Sequence, residues 1–218
     1  MSRKTRTTKK NFKVFCEGDT EYNYIDEMRR QWNLSIALKP VNMKGGGYSN
    51  FLKQIKTDGT ANCLAKFIII DGDKAIADDS EKKNLQELLE YCILQNQNER
   101  TPHFLIVDSP DFEYIACLHT PKYKGQPVIQ YLIKELGYKD IDKFKTDKSV
   151  YRKLNANGNS YKLMLPSLKK ENCFVVNGYK INKKQFDIKV STTYDWEKLW
   201  RKGSNINEFF EVIDSFYT

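Results

Sequence analysis

Glu17, Asp71 and Asp73 are the acids of this 218-residue chain whose settings suit cation chemistry. The stretch Lys66-Phe-Ile-Ile-Ile-Asp-Gly-Asp-Lys74 runs an apolar, β-branched core into two acids separated by one glycine. Residues 67–70 show no polar alternation, the pattern of a strand covered on both faces in a parallel sheet. On an extended path Asp71 and Asp73 point the same way, and Gly72 permits a turn or a close approach of the backbone to a ligand. Two like charges held together need a cation. A hard divalent ion, Mg2+ or Mn2+, takes oxygen ligands from one or two carboxylates plus water and phosphate. A strand-to-loop exit with solvated acids produces the same short motif, since Asp-x-Asp alone has little specificity.

The elements that must position these acids follow from periodicity. Residues 11–16 alternate as a first strand that stops at Glu17-Gly18, and Asp19 or Thr20 can cap the helix carrying Tyr24, Ile25, Met28 and Trp32 on one face. Residues 34–41 give a second strand. Gly45-Gly46-Gly47 leads into a helix with Phe51, Leu52 and Ile55, and without a Gly-Lys-Ser/Thr ending it reads as a flexible turn rather than a phosphate loop. After the central strand comes an amphipathic helix with Leu85, Leu88, Leu89, Cys92 and Ile93, then a fourth strand over residues 104–107 ending at Asp108. Strand and helix in alternation predict an α/β fold: a Rossmann-like parallel sheet flanked by helices, with right-handed crossovers. Neighbouring strands would bring Glu17, Asp71 with Asp73, and Asp108 to the C-terminal edge, where open α/β sheets bind ligands.

Ser109-Pro110 offers a cap hydroxyl and a proline for the next helix, which carries Phe112, Ile115, Ala116 and Leu118. Glu113 lies about one turn into that helix, within reach of the metal acids as a ligand-orienting carboxylate. His119 stands six residues further on, off the same face. It suits proton transfer in phosphoryl chemistry, or a structural post at a helix C-terminus. It is expected to meet either substrate or a neighbouring copy of the chain. Residues 128–136 form another helix closed by Gly137.

Charge is unevenly distributed within a net +8. Residues 1–13 carry six Lys/Arg and no acid, residues 139–189 thirteen against five, and residues 14–138 fourteen against eighteen. An acidic centre between basic flanks suits carboxylates acting on a polyanion whose phosphates are gripped elsewhere. Surplus lysines hydrating a surface explain the same sum. The candidate nucleic-acid contacts are Lys74 beside the acids and Lys143, Lys145, Lys148, Arg152 and Lys153, the last two next to Tyr151. Five cysteines without a CxxC pair indicate neither a disulfide framework nor a zinc site. With no membrane-length apolar run and no signal-peptide segment, the expected compartment is the cytoplasm. The expected organisation is a basic tail (1–10), an α/β catalytic domain (11–137) and a smaller, basic, α-rich extension (138–218), with candidate helices near residues 150–154 and 207–216 and a candidate strand at 173–176.

Glu17-Gly after a first strand and Asp71-x-Asp73 after a later one resemble the Toprim domain of topoisomerases, primases and several nucleases. Cys16-Glu-Gly-Asp-Thr-Glu-Tyr-Asn-Tyr24 looks like the EG-x-T-E-x-x-Y opening of the RloB-like family within that class, and Ser109-Pro-Asp-Phe-Glu-Tyr-Ile-Ala-Cys-Leu-His119 like its P-x-F-E-x-W-L-x-x-H segment. Tyr114-Ile115 departs where a tryptophan is usual. The likeness covers residues 12–119 and fades beyond 155. It implies a Toprim-like fold and a Mg2+- or Mn2+-dependent nuclease cleaving DNA, RNA or tRNA in bacterial anti-phage defence beside an ABC-type ATPase, with catalytic residues Glu17, Asp71, Asp73, Glu113 and His119 and metal ligands Glu17, Asp71 and Asp73. The competing reading is a catalytically silent nucleic-acid-binding subunit of such a complex. A HAD-like phosphatase is disfavoured, because its Asp-x-Asp follows the first strand.

Overall fold

A computed structural model of the protein describes residues 10–59, 62–98 and 101–216. The expected basic tail, apart from Lys10, falls outside them. Strand β1 (Asn11–Cys16) pairs in parallel with β2 (Ala37–Asn42) and β3 (Cys63–Asp71), and β3 pairs in parallel with β4 (His103–Ser109). A hairpin of β5 (Val175–Asn182) and β6 (Asp187–Tyr194) precedes the two-residue β7 (Gly203–Ser204). β7 runs antiparallel to β4 and completes the order β2-β1-β3-β4-β7. The chain is therefore α/β with a mostly parallel central sheet flanked by helices, as the alternation of strands and helices predicts.

Both faces of the sheet are covered, which is why β3 is apolar without alternation. Phe67 and Ile69 join Phe12, Val14 and Phe104 on one face, under Tyr24, Ile25 and Met28 of α1 (Asp19–Gln31). Ile68 and Ile70 join Phe15 and Leu105 on the other. There α2 (Gly47–Thr57) supplies Phe51 and Ile55, and α4 (Asp79–Gln97), which follows the single-turn α3 (Asp73–Ala77), supplies Leu85, Leu88 and Leu89.

Residues beyond 137 are built into this same core. After α5 (Phe112–Cys117) and α6 (Val128–Leu136) come three short helices, α7 (Ile141–Lys145), α8 (Val150–Leu154) and α9 (Tyr161–Met164). Tyr151 of α8 meets the Tyr24 ring edge-on at 5.0 Å and accepts a hydrogen bond from Trp32 Nε1 at 2.7 Å. The last helix, α10 (Ile206–Asp214), returns to the sheet, where the Phe209 ring sits 5.1 Å from that of Phe67. The segment expected to be α-rich also contributes three strands. Because β7 is so short, side chains finish the β4 edge: Asn205 Oδ1 accepts the Val107 N–H at 3.0 Å, and the Asn177 and Asn205 amides each donate to the Leu105 carbonyl at 2.9 Å. Each pairs a backbone group that would otherwise be buried and unsatisfied.

Three local expectations are corrected. The extended path through Asp71-Gly72-Asp73 does not exist: β3 ends at Asp71, Gly72 adopts a helical conformation (φ −86°, ψ −12°), and Asp73 opens α3. The turn is fixed by Gly72 N–H donating to the Asp108 carbonyl at 2.7 Å and Asp73 N–H to that of Pro110 at 3.0 Å. The helix after β4 is capped by Asp111, whose carboxylate accepts from Tyr114 N–H at 2.9 Å, because the Ser109 hydroxyl is committed to the Leu199 carbonyl at 2.7 Å. The triple glycine is an ordered turn, all three residues at positive φ (69°, 93° and 76°), and the first amide after it, Tyr48 N–H, is taken by Glu81 Oε2 at 3.1 Å.

Candidate functional site

Because β1, β3 and β4 are parallel neighbours, their last residues converge on one edge. Glu17 follows β1 and is 7% exposed. Its Oε2 accepts the Asp71 N–H at 3.0 Å and its Oε1 meets Lys74 Nζ at 2.6 Å. Burial opposes the Lys74 charge, but the Glu17 hydrogen bond and charge outweigh it and raise the ammonium pKa. Asp71 lies beside Asp108 in the β3–β4 register, and its Oδ1 accepts the Phe112 N–H from the start of α5 at 3.0 Å. Burial, then the charges of Glu21, Glu17, Asp108 and Glu113, push the Asp71 pKa well above the usual carboxylate range. Asp73 is exposed at the first turn of α3, its Oδ1 accepting the Lys74 N–H at 2.7 Å.

Three further acids belong to this cluster. Glu21 is buried in the first turn of α1 and accepts the Gly18 N–H at 3.1 Å. Burial raises its pKa to about 8, with Glu113, Asp108 and Glu17 adding repulsion. Asp108 is fully buried, and burial raises it to about 7, with repulsion from Asp111 and Glu113 added. The Ser204 hydroxyl donates to its Oδ1, while Oδ2 has no hydrogen-bond partner among the described residues. Glu113 is buried and pairs with Lys145 Nζ at 3.2 Å. Burial raises the Glu113 pKa, and the Lys145 charge offsets part of the shift.

Glu17, Asp71 and Glu113 are thus brought together, with Asp73 at the exposed rim. His119 is placed apart. It is 1% exposed, with Nδ1 donating to the Ile115 carbonyl at 3.1 Å and Nε2 accepting from Tyr24 Oη at 2.8 Å. Burial lowers its pKa to about 4, so it is a neutral ring bracing α5 against α1 rather than a group open to substrate.

Of the candidate phosphate contacts, Lys74 and Lys145 reach into the acidic cluster, pairing with Glu17 and Glu113 respectively. Lys143, Lys148, Arg152 and Lys153 lie on the exposed face of the segment holding α7 and α8. Lys153 is engaged by Asp147 at 2.8 Å and Arg152 approaches Glu27 at 3.9 Å. Glu21 is not a strand-end acid, yet it follows Glu17 by four residues into a helix that starts at the same edge, and that spacing is its signal in the sequence. Asp108 stands at the end of its strand, where the sequence marks its place but no role. Its hydrogen-bond donor Ser204 lies ninety-six residues away and has no local signature.

The donor chemistry is all oxygen, suited to a hard divalent cation. Among the described residues, no three His, Cys, Asp or Glu side chains stand close enough to hold an ion as they are placed. No described helix is long and apolar enough to cross a membrane. No family model, curated protein or solved structure matches the chain.

Proposed function

We propose that the protein is a Mg2+- or Mn2+-dependent phosphodiesterase of the Toprim type that acts on nucleic acid, with its site at the C-terminal edge of β1, β3 and β4. One observation carries this reading: five carboxyl groups, Glu17, Glu21, Asp71, Asp108 and Glu113, crowd the ends of three adjacent parallel strands, and burial, with repulsion from neighbouring acids, raises the proton affinity of Glu21, Asp71, Asp108 and Glu113. A fold bears the cost of burying like charges where a bound cation repays it. The ligands fit by chemistry, with Glu17 and Asp71 as the inner pair, Asp73 at the rim, and Asp108 Oδ2 as an acceptor still to be satisfied. A divalent ion there would polarise a scissile phosphate and lower the pKa of a bound water.

The chain's own residues supply the rest. The Asp71 N–H orients Glu17, so the two ligands turn together with the strand ends. Lys74 and Lys145 are partly exposed, flexible cations that neutralise Glu17 and Glu113 in the resting arrangement and are free to swing to substrate phosphates. The basic surface with Lys143, Lys148, Arg152 and Lys153 would hold the flanking backbone electrostatically. Defence activity beside an ABC-type ATPase belongs to the same proposal through the family resemblance.

The Glu17–Lys74 and Glu113–Lys145 pairs favour a second reading, a nucleic-acid-binding subunit whose site is already neutralised by its lysines and works without metal. Plasmid, single-stranded DNA and tRNA incubated with the purified protein, with Mn2+ or with chelator, separate the two. Mn2+-dependent cleavage that Asp71→Asn abolishes establishes the enzyme. Binding without cleavage, with melting unmoved by Mn2+, establishes the silent subunit.

A further inference from the structure

Trp200 is 61% exposed, the most exposed large apolar side chain among the described residues, and it stands in a turn held on both sides by the end of β4. Before it, the Leu199 carbonyl accepts the Ser109 hydroxyl at 2.7 Å, and the Leu199 side chain lies where a Cβ on Gly72, the glycine between Asp71 and Asp73, would meet it at 3.4 Å. After it, Gly203 pairs with Ser109 and Ser204 with Asp108, whose carboxyl the Ser204 hydroxyl holds. The turn itself is closed by Arg201 N–H donating to the Lys198 carbonyl at 2.9 Å. A tryptophan clamped this tightly yet left in water is not serving the core, since burial of its ring would stabilise the fold and exposure forgoes that gain.

Its neighbours give the exposed ring a charge context. Arg201 and Lys202 follow it and are exposed, and Lys202 Nζ sits 5.7 Å from the centre of the Tyr114 ring, in the first turn of the helix that Asp111 caps. One short loop at the rim of the acidic cluster therefore presents a flat aromatic face beside two cations. Stacking on an aromatic face while cations hold the backbone is how unpaired nucleobases are gripped without sequence preference; bases in a duplex keep their faces covered by their neighbours.

We infer that Trp200, with Arg201 and Lys202, forms a base-stacking platform that makes single-stranded or locally unpaired nucleic acid the preferred ligand of the neighbouring site. This rests on the nucleic-acid reading above and deepens it by naming the substrate class. The ring would hold one base flat while Arg201 and Lys202 contact the phosphates on either side, setting which phosphodiester lies over Glu17 and Asp71.

The test measures affinity by fluorescence anisotropy for labelled oligothymidylate and oligouridylate of about twelve nucleotides, and for a blunt duplex of equal length. Ca2+ is present, and wild type, Trp200→Ala and Trp200→Phe are compared. Melting curves establish that both variants are folded. The expected result is single-strand affinity lower by about tenfold in Trp200→Ala, little change for the duplex, and near wild-type binding in Trp200→Phe, which keeps a stacking ring. Equal weakening on duplex and single strand, or no weakening, overturns the platform while leaving the nuclease reading standing. Failure of wild type to bind any of the three probes overturns both. A change in the mass of the protein in solution on Trp200→Ala, with oligonucleotide affinity unmoved, overturns the inference in favour of a protein contact.

Discussion

The Asp71 N–H donates to Glu17 Oε2 at 3.0 Å, so the last residue of one strand orients the carboxylate that follows its neighbour. The other Glu17 oxygen meets Lys74 at 2.6 Å, three residues past Asp71. One glutamate is thus fixed by two groups of the Asp-x-Asp turn, and its position reports whether that turn has rearranged around a cation. Mn2+ at about a hundred times its Kd should stabilise the folded protein by about 2.7 kcal/mol. For a chain of this size that is a rise in Tm on the order of 5–10 °C. Glu17→Gln keeps an acceptor for the Asp71 N–H but loses ligand charge, so its melting without metal should stay near wild type while the rise with Mn2+ disappears. An equal rise in Glu17→Gln and wild type would place the ion elsewhere.

Glu113 lies in the first turn of α5 and His119 two residues past its end, in different surroundings, and substitution should separate them. Glu113 is buried beside the acid cluster with Lys145 as its ion-pair partner. Glu113→Gln keeps volume and hydrogen bonding while removing charge, so it should lose cleavage with Tm within a few degrees of wild type. His119→Ala removes the acceptor of the Tyr24 hydroxyl and leaves a void under α1, costing about 2–4 kcal/mol, a fall in Tm on the order of 4–16 °C, with cleavage per folded molecule retained. The reverse pattern would return Glu113 to structure and His119 to chemistry.

The sheet was legible because its signals are local. An unbroken apolar run in β3, helical periodicity in α1 and α4, and the left-handed Gly137 after α6 each lie within one element. The convergence of Glu17, Asp71 and Asp108 also followed, since parallel neighbours must end on one edge. What was not legible depends on residues far apart in sequence. Gly72 could turn or extend, and the choice is made by the Asp108 and Pro110 carbonyls across β4. The ending of the β4 edge by Asn177, Ser204 and Asn205 joins positions about seventy to a hundred residues from it, with no periodic pattern to announce them. Asn205→Ala tests that account: it leaves the Val107 N–H buried and unpaired, and should cost about 1–3 kcal/mol of stability in denaturant unfolding. An unchanged midpoint would mean that β7 alone suffices to end the sheet.

The basic surface should be visible as a salt dependence. Lys143, Lys145 and Lys148 are exposed and lie along one short stretch containing α7. If each neutralises one phosphate, replacing all three by alanine should make the slope of log K against log salt shallower by about 2 for single strands. Affinity measured across a salt titration checks this, and a slope unchanged from wild type would assign the phosphate contacts to another face.

Acid stability follows from the neutral His119. Burial lowers its pKa in the folded chain to about 4, below the value near 6.5 that an unfolded histidine shows. Between those values the unfolded chain holds a proton that the folded chain refuses, so stability rises with pH from about 4 to about 6.5 and is lost as the pH falls through that window. The full swing from this one ring is on the order of 3 kcal/mol. Acids of the cluster act in the opposite sense: Glu21, raised to about 8, takes up its proton more readily when folded and loses stability as pH rises above the usual carboxylate range. The His119 contribution is therefore read as a difference between wild type and His119→Gln, whose amide can still donate to the Ile115 carbonyl and accept from Tyr24 but cannot titrate. Urea unfolding of both proteins from pH 4 to pH 7 should show the gap between them changing in favour of wild type as pH rises and levelling off above about 6.5. A gap constant across that range would mean that the ring opens to solvent and takes its proton without cost.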